Sequence, residues 1–228
     1  MNYNFEESVS NLGITLNNKQ KQQFEIYYET LVEWNSKMNL TAITEKNDVY
    51  KKHFFDSLCL IKATNVTTES LLDVGSGAGF PSIPLKIIYP ELKITIIDAL
   101  KKRITFLEEL VSKLDIEAEL IHGRAEEYKR KHCFDLVTAR AVANLNMLSE
   151  LCIPFVKVGG SFIAMKGPKL KEELQSSETA IKTLGGEISK QVEYQVDEDN
   201  RSIVVIKKKF KTSPKYPRRF NQIKANPL

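Results

Sequence analysis

Residues 71–80, Leu-Leu-Asp-Val-Gly-Ser-Gly-Ala-Gly-Phe, constrain this chain more than any other stretch, because they turn a buried strand directly into a helix. The apolar run 71–74 suits a strand covered on both faces. Glycines at 75, 77 and 79 tolerate positive φ and close backbone approach. Pro81 suits the first helical position, where its missing N–H is no loss, and the other amides there offer a seat for a polar or anionic group. The turn reads as a cradle for a nucleotide-type cofactor. A ligand-free glycine turn is the plainer alternative.

From here on, strand and helix patterns alternate. The periodicity predicts strands at 71–74, 93–98, 117–122, 134–139 and 160–165, and helices at 81–89, 101–114, 125–128, 144–156 and 169–184. Two last strands, 188–196 and 202–208, flank a turn at Asp197-Glu198-Asp199-Asn200 and read as a hairpin. Such alternation requires a mostly parallel sheet with helices on both faces, since parallel strands need crossovers. The first fifty residues read as helical. A short amphipathic piece covers 5–12, and Asn17 with Gln20 forms a capping pair before Phe24, Tyr27, Tyr28, Leu31, Trp34 and Met38, which recur at threes and fours. That stripe is expected to pack as core. The expected organisation is a helical extension (1–50), an α/β domain (51–210) and a basic tail (211–228).

At 228 residues the chain holds one sizeable core. It has no apolar run of membrane-spanning length and no signal-peptide pattern at its start, so a cytoplasmic protein is expected. Cys59, Cys133 and Cys152 are scattered, and His53, His122 and His132 have no metal-like spacing, so neither disulfides nor a metal are expected. The charge is uneven. Residues 207–228 contain eight Lys or Arg and no acid, which leaves the remainder at −4 against a formal total of +4. A basic tail on a slightly acidic body suggests an anionic macromolecular partner or, more plainly, a solvated end.

Phe80 stands where a dinucleotide fingerprint would need its third glycine, which argues against NAD. Asp73, the Gly-x-Gly-x-Gly order and the acid Asp98 ending the next strand resemble instead the S-adenosylmethionine (SAM) site of class I methyltransferases. A carboxylate at Asp98 can accept two hydrogen bonds from ribose hydroxyls. Ligands of open α/β sheets bind beyond the carboxyl ends of the strands, which selects 75–80, 98–100, 123–126, 139–143 and 166–168. Ala125 and Glu126 could frame an adenine, although an acid there also favours a helix start. Arg140 ends a buried strand and needs a carboxylate partner, Asp73 or that of SAM. Lys166 could meet RNA phosphate or be an ordinary strand-end lysine. The chain has Thr138-Ala139-Arg140-Ala141 where exocyclic-amine methylases carry Asp/Asn-Pro-Pro-Tyr, and no cysteine sits where a pyrimidine nucleophile would be needed. Guanine N7, an acceptor with no proton to remove, fits what remains.

Several stretches closely resemble the bacterial ribosomal RNA guanine-N7 methyltransferase family RsmG, also called glucose-inhibited division protein B. They are Asn39-Leu40-Thr41-Ala42, His53-Phe54-Phe55-Asp56-Ser57-Leu58, residues 71–85, Lys102-Arg103-Ile104-Thr105-Phe106-Leu107, Arg124-Ala125-Glu126, Ala139-Arg140-Ala141, Lys166-Gly167, Tyr216-Pro217-Arg218-Arg219 and Pro227-Leu228. The glycine turn is generic to methyltransferases, whereas its Phe80-Pro81 extension and the Tyr-Pro-Arg tail are more specific. Ser82 stands where the family usually has glycine, and Ala99 where serine is common. The resemblance implies a Rossmann-like class I fold with a mostly parallel seven-stranded sheet, an antiparallel terminal strand and an N-terminal helical extension. It also implies SAM-dependent transfer to N7 of one guanine in a loop of 16S ribosomal RNA, by a monomer acting on the small subunit or its precursor. Carried over by position, Gly75, Phe80, Ala125, Glu126 and Arg140 contact SAM, and the cofactor-binding set is completed by Gly77 of the glycine turn and, from geometry, Asp98. Arg124, Arg140 and Lys166 serve catalysis, and Arg124, Lys166, Arg218 and Arg219 hold RNA. The competing readings are a class I methyltransferase of small molecules or proteins, and a non-catalytic ribosome assembly factor. Deleting 211–228 is expected to cripple an RNA enzyme and spare a small-molecule one.

Overall fold

The computed structural model describes residues 3–140, 143–168 and 170–228. Met1 and Asn2 of the extension, Ala141 of the Ala139-Arg140-Ala141 motif and the expected helix start Lys169 lie outside the described residues. Strands β1 (Ser70–Val74), β2 (Lys93–Asp98), β3 (Glu119–His122), β4 (Phe134–Arg140), β5 (Val156–Lys166), β6 (Gly186–Val196) and β7 (Asp199–Lys208) form one sheet in the order β3-β2-β1-β4-β5-β7-β6. β1 pairs in parallel with β2 and β4, β2 with β3, and β4 with β5. β7 runs antiparallel to both β5 and β6. The strand order reverses between β1 and β4, which places the glycine turn beside the end of β4 at the switch point where such sheets bind ligands.

Both faces of the sheet are covered, so the central strands are apolar nearly throughout. On one face Leu71, Ile94, Ile96, Ile163 and Met165 pack with the helices Ser82–Ile88 and Lys101–Leu114 and with the N-terminal extension. On the other, Leu72, Val74, Val137, Phe162 and Ala164 meet the helices Leu145–Cys152 and Leu170–Thr183. The extension is held mainly by aromatic packing. Asn17 caps the Asn18–Asn35 helix in a capping box with Gln20, and Phe24, Tyr27 and Leu31 of the stripe are fully buried. Phe54, in a helical run from Lys46 to Lys62 that includes a π-helical turn (Tyr50–Phe55), sits among the rings of Phe24, Tyr27, Tyr50 and Phe80 at 4.9–6.0 Å.

Four expectations change in detail. The helix after the glycine turn begins at Ser82 with Pro81 preceding it, and Asp73 Oδ2 accepts the Ser82 N–H at 3.3 Å. One of the amides assigned to a ligand is therefore taken by the protein. β5 begins at Val156, so the preceding helix ends at Cys152 and a single 3₁₀ turn (Ile153–Phe155) carries Pro154. The hairpin turn is only Asp197-Glu198, with Asp197 left-handed at φ 61°. The basic tail is folded: Tyr216 and Ile223 are buried in the second core, and Phe220–Ala225 is a helix. Lys208, counted among the tail's charges, is buried and donates to the carbonyls of Ile153 and Leu184 at 2.9 and 3.1 Å and to Thr212. Burial lowers its pKa to about 8. Among the described residues, no helix is long and apolar enough to cross a membrane, and no group of three or more His, Cys, Asp and Glu is placed to hold a metal ion.

Candidate active site

The turn after β1 is built by steric need. Gly79, at φ 96°, faces Ile83 Cγ1 and Tyr27 Oη, which a Cβ would approach to 2.7 and 2.9 Å, so the helix and the N-terminal extension both close on it. Tyr27 donates from its hydroxyl to the Ala78 carbonyl at 2.5 Å and stacks on Phe80 at 5.4 Å. Gly77, at φ 63°, has open space where a Cβ would lie. That space belongs to a cleft of about 510 Å³ at the carboxyl ends of β1, β2, β3 and β4. Gly75, Gly77, Phe80, Asp98, Arg124, Ala125, Glu126 and Arg140 all line it.

Asp98 is only 2 % exposed and accepts from Leu100 N–H on Oδ1 at 2.9 Å, and from Gly77 N–H and the Arg103 guanidinium on Oδ2 at 3.3 and 3.2 Å. Each carboxylate oxygen has two acceptor positions and three of the four are taken, so one, on Oδ1, remains for a single ribose hydroxyl rather than the two expected. Ser76 Oγ, also on the cleft wall, is buried with no hydrogen-bond partner among the described residues. Behind the turn, Asp73 Oδ1 is likewise unpaired, and burial raises the Asp73 carboxyl to about 7 against the lowering effect of Ser82. A cleft with an open glycine, an orphaned hydroxyl and a buried carboxylate on successive strand ends fits an amino acid joined to a nucleoside, which is the chemistry of SAM.

Arg140 does not meet Asp73. Its partner is Asp56, at 2.9 Å from NH1 to Oδ2, while Tyr194 donates its hydroxyl to Asp56 Oδ1 at 2.7 Å. The guanidinium lies 4.8 Å from the Phe80 ring centroid and 3.3 Å from His53 Nδ1. His53 stacks on Phe80 at 4.6 Å and shares a hydrogen bond of 2.8 Å with Thr41 Oγ1. Burial, then the adjacent Arg140 charge, lower its pKa to about 3, so the ring is neutral at physiological pH.

A second cavity of about 460 Å³ shares His53 and Arg140 with the first and adds Lys52, Asp56, Lys166, Glu173, Tyr194 and Arg201. Lys166 is turned inward: Nζ donates to the Ala143 carbonyl at 2.8 Å and pairs with Glu173 at 2.7 Å. Arg218 pairs with the fully buried Glu150, donating from N, Nε and NH2 at 2.9, 2.8 and 2.6 Å. Arg219 is exposed. The sequence reading missed His53 and Asp56 as neighbours of Arg140, Tyr194 as a partner of Asp56, and Phe220 on the cleft wall. His53 and Asp56 lie in a motif already noted, but nothing in their spacing names Arg140 as their partner.

This fold and this cleft define a class I SAM-dependent methyltransferase. A methyltransferase from Pyrococcus furiosus superposes with a TM-score of 0.58 at 14 % identity, over 68 % of this chain and 82 % of that one. The [4+2]-cyclase SpnF does so at 0.55 and 13 %, over 68 % and 81 %. At such identities the likeness concerns the fold alone, and the cyclase illustrates that reaction is decided at the site. The model of the GidB family, rRNA small subunit methyltransferase G, matches residues 20–204, and the chain belongs to that family. The ribosomal RNA small subunit methyltransferase G of Bacillus cereus (strain ZK / E33L) is 52 % identical over 94 % of this chain and 93 % of that protein.

Proposed function

We propose that this chain transfers a methyl group from SAM to N7 of one guanine in a loop of small-subunit (16S) ribosomal RNA, acting as a cytoplasmic monomer on the subunit or its precursor. The observation carrying this reading is the junction of the two cavities at Arg140 and His53: a cofactor cleft on one side and, on the other, a space roomy enough for an unstacked base. SAM, when bound, supplies a methyl group activated on a sulfonium. Guanine N7 offers a lone pair without a proton, so the chain needs to supply alignment and exclude water, with no general base. A neutral His53 suits that role, since it adds no positive charge beside a sulfonium and a guanine becoming cationic.

In this reading Arg140, fixed by Asp56 and Tyr194, holds the boundary between cofactor and base, and Lys166 with Glu173 shapes the base cavity. Arg124 and Arg219 neutralise phosphates near the rim. Arg218 anchors the tail, because its donors are directed to Glu150. An unpaired loop makes extrusion of the guanine inexpensive. The test is transfer of labelled methyl from SAM to ribosomal RNA from cells lacking the protein, with the base mapped by chain cleavage at N7-methylguanine. Label at a single small-subunit guanine supports the proposal. Absence of label on both naked RNA and intact subunits, with SAM binding retained, overturns it.

A further inference from the structure

The tail that sequence reading assigned to RNA reaches the cofactor cleft. Phe220, at the start of the Phe220–Ala225 helix, lines the cleft alongside Arg124, Ala125 and Glu126. We infer that Phe220 is the base-side wall of the cofactor site, the face against which the adenine of SAM packs. The inference rests on the SAM reading of that cleft.

Across the sheet the ligand-facing ends follow the order β4, β1, β2, β3, which sets out Arg140, the glycine turn, Asp98 and Ala125 in that sequence. Three strand spacings separate the ends of this row, roughly 14 Å. If the carboxylate at Asp98 takes the ribose, the amino acid lies toward β1 and β4 and the base toward β3, where the Phe220 ring stands. The ring is held there deliberately. Its backbone N–H donates to Glu126 Oε1 at 3.2 Å, and the Arg124 guanidinium lies 5.7 Å from its centroid. Upstream, Arg218 is tied to buried Glu150, and Lys131 donates to the Tyr216 carbonyl at 2.5 Å. Downstream, Ile223 is fully buried. Glu126, expected to meet the adenine itself, thus spends one oxygen on the tail. One consequence is that deleting 211–228 removes part of the SAM site, so it impairs methyl transfer to any substrate and no longer separates an RNA enzyme from a small-molecule one.

The test is calorimetric titration of the full-length protein with SAM and with S-adenosylhomocysteine, for wild type and Phe220→Ala. Stacking on a base predicts an affinity about tenfold weaker in the variant, by the same factor for both ligands because they share the adenine, with a lowered melting temperature, since the ring also packs on the second core, but an unfolding transition still well above the titration temperature. Equal affinities in wild type and variant overturn the inference alone, as does a loss confined to SAM, which would put the ring near the sulfonium. Failure of the wild type to bind either ligand overturns the cofactor reading with it. A second measurement needs no variant: photolabelling the wild type with 8-azido-S-adenosylmethionine is expected to mark the tryptic peptide 220–224. Labelling that spares this peptide overturns the inference.

Discussion

The two ends of the chain both close on the cofactor cleft, but they are fastened differently. The N-terminal extension arrives through a packed series of rings, Phe24 and Tyr27 on Phe54 and Tyr27 also on Phe80, all buried. The C-terminal tail arrives through one charged anchor, Arg218 on Glu150, and a few side chains such as Tyr216 and Ile223. Apolar packing spreads its stabilisation over many contacts. An ion pair concentrates it in one, where loss of a partner leaves a buried charge without compensation.

Truncation at the aromatic end is expected to have the largest effect. Phe54→Ala should lower stability by about 3–5 kcal/mol, read from denaturant unfolding, because the cavity it leaves is walled by rigid rings. Glu150→Ala should cost about 2 kcal/mol, below the figure for a fully buried pair because Arg218 can turn to water. It should appear as faster proteolysis within 211–228 and weaker SAM binding, with the rest of the fold intact; a protease-resistant tail would show that its apolar contacts suffice alone. Asp56→Asn tests what the helical run from Lys46 to Lys62 does for chemistry. With its charge partner gone, Arg140 should lose its fixed placement and the methyl-transfer rate should fall by about tenfold, while SAM affinity changes much less.

The smallest net effect is one of pH, where that helical run and the glycine turn oppose each other. Asp73, raised to about 7, keeps its proton in the native state after the unfolded chain has lost it, so its contribution to stability is lost as pH rises from about 4 to about 7. His53, lowered to about 3, stays neutral while the unfolded chain takes up a proton, so its contribution is lost as pH falls from about 6.5 to about 3. Between about pH 4 and 6.5 the two slopes, each at most about 1.4 kcal/mol per unit, cancel. His53→Gln should unmask a stability that falls with rising pH, and Asp73→Asn one that rises. Denaturant midpoints across that range decide the matter: parallel profiles for the two variants would exclude one of these buried groups as a source.

What the sequence disclosed follows the same division. The glycine turn, Asp98 and the 101–114 helix were legible because their information is local: consecutive residues, a fixed strand length, a regular period. So was the aromatic stripe of the extension. The partner of Arg140 was not, since Asp56 lies 84 residues away and Tyr194 is 138 residues from Asp56. Within the chain, charge alone named Asp73, whereas the fold supplies Asp56. The tail misled for a related reason. Counting its lysines and arginines gave a uniform basic strip, whereas burial of Lys208, pairing of Arg218 and exposure of Arg219 are decided by residues far upstream.

The cofactor cleft draws its walls from Leu40 through to Phe220. During synthesis the glycine turn and its carboxylate emerge early, whereas the last of these walls, Phe220, emerges long after them. A nascent chain that has not reached Phe220 carries the recognisable motif without the full set of cleft walls. The cleft thus joins segments made at widely separated times, and its geometry depends on a chain continuous from Leu40 to Phe220.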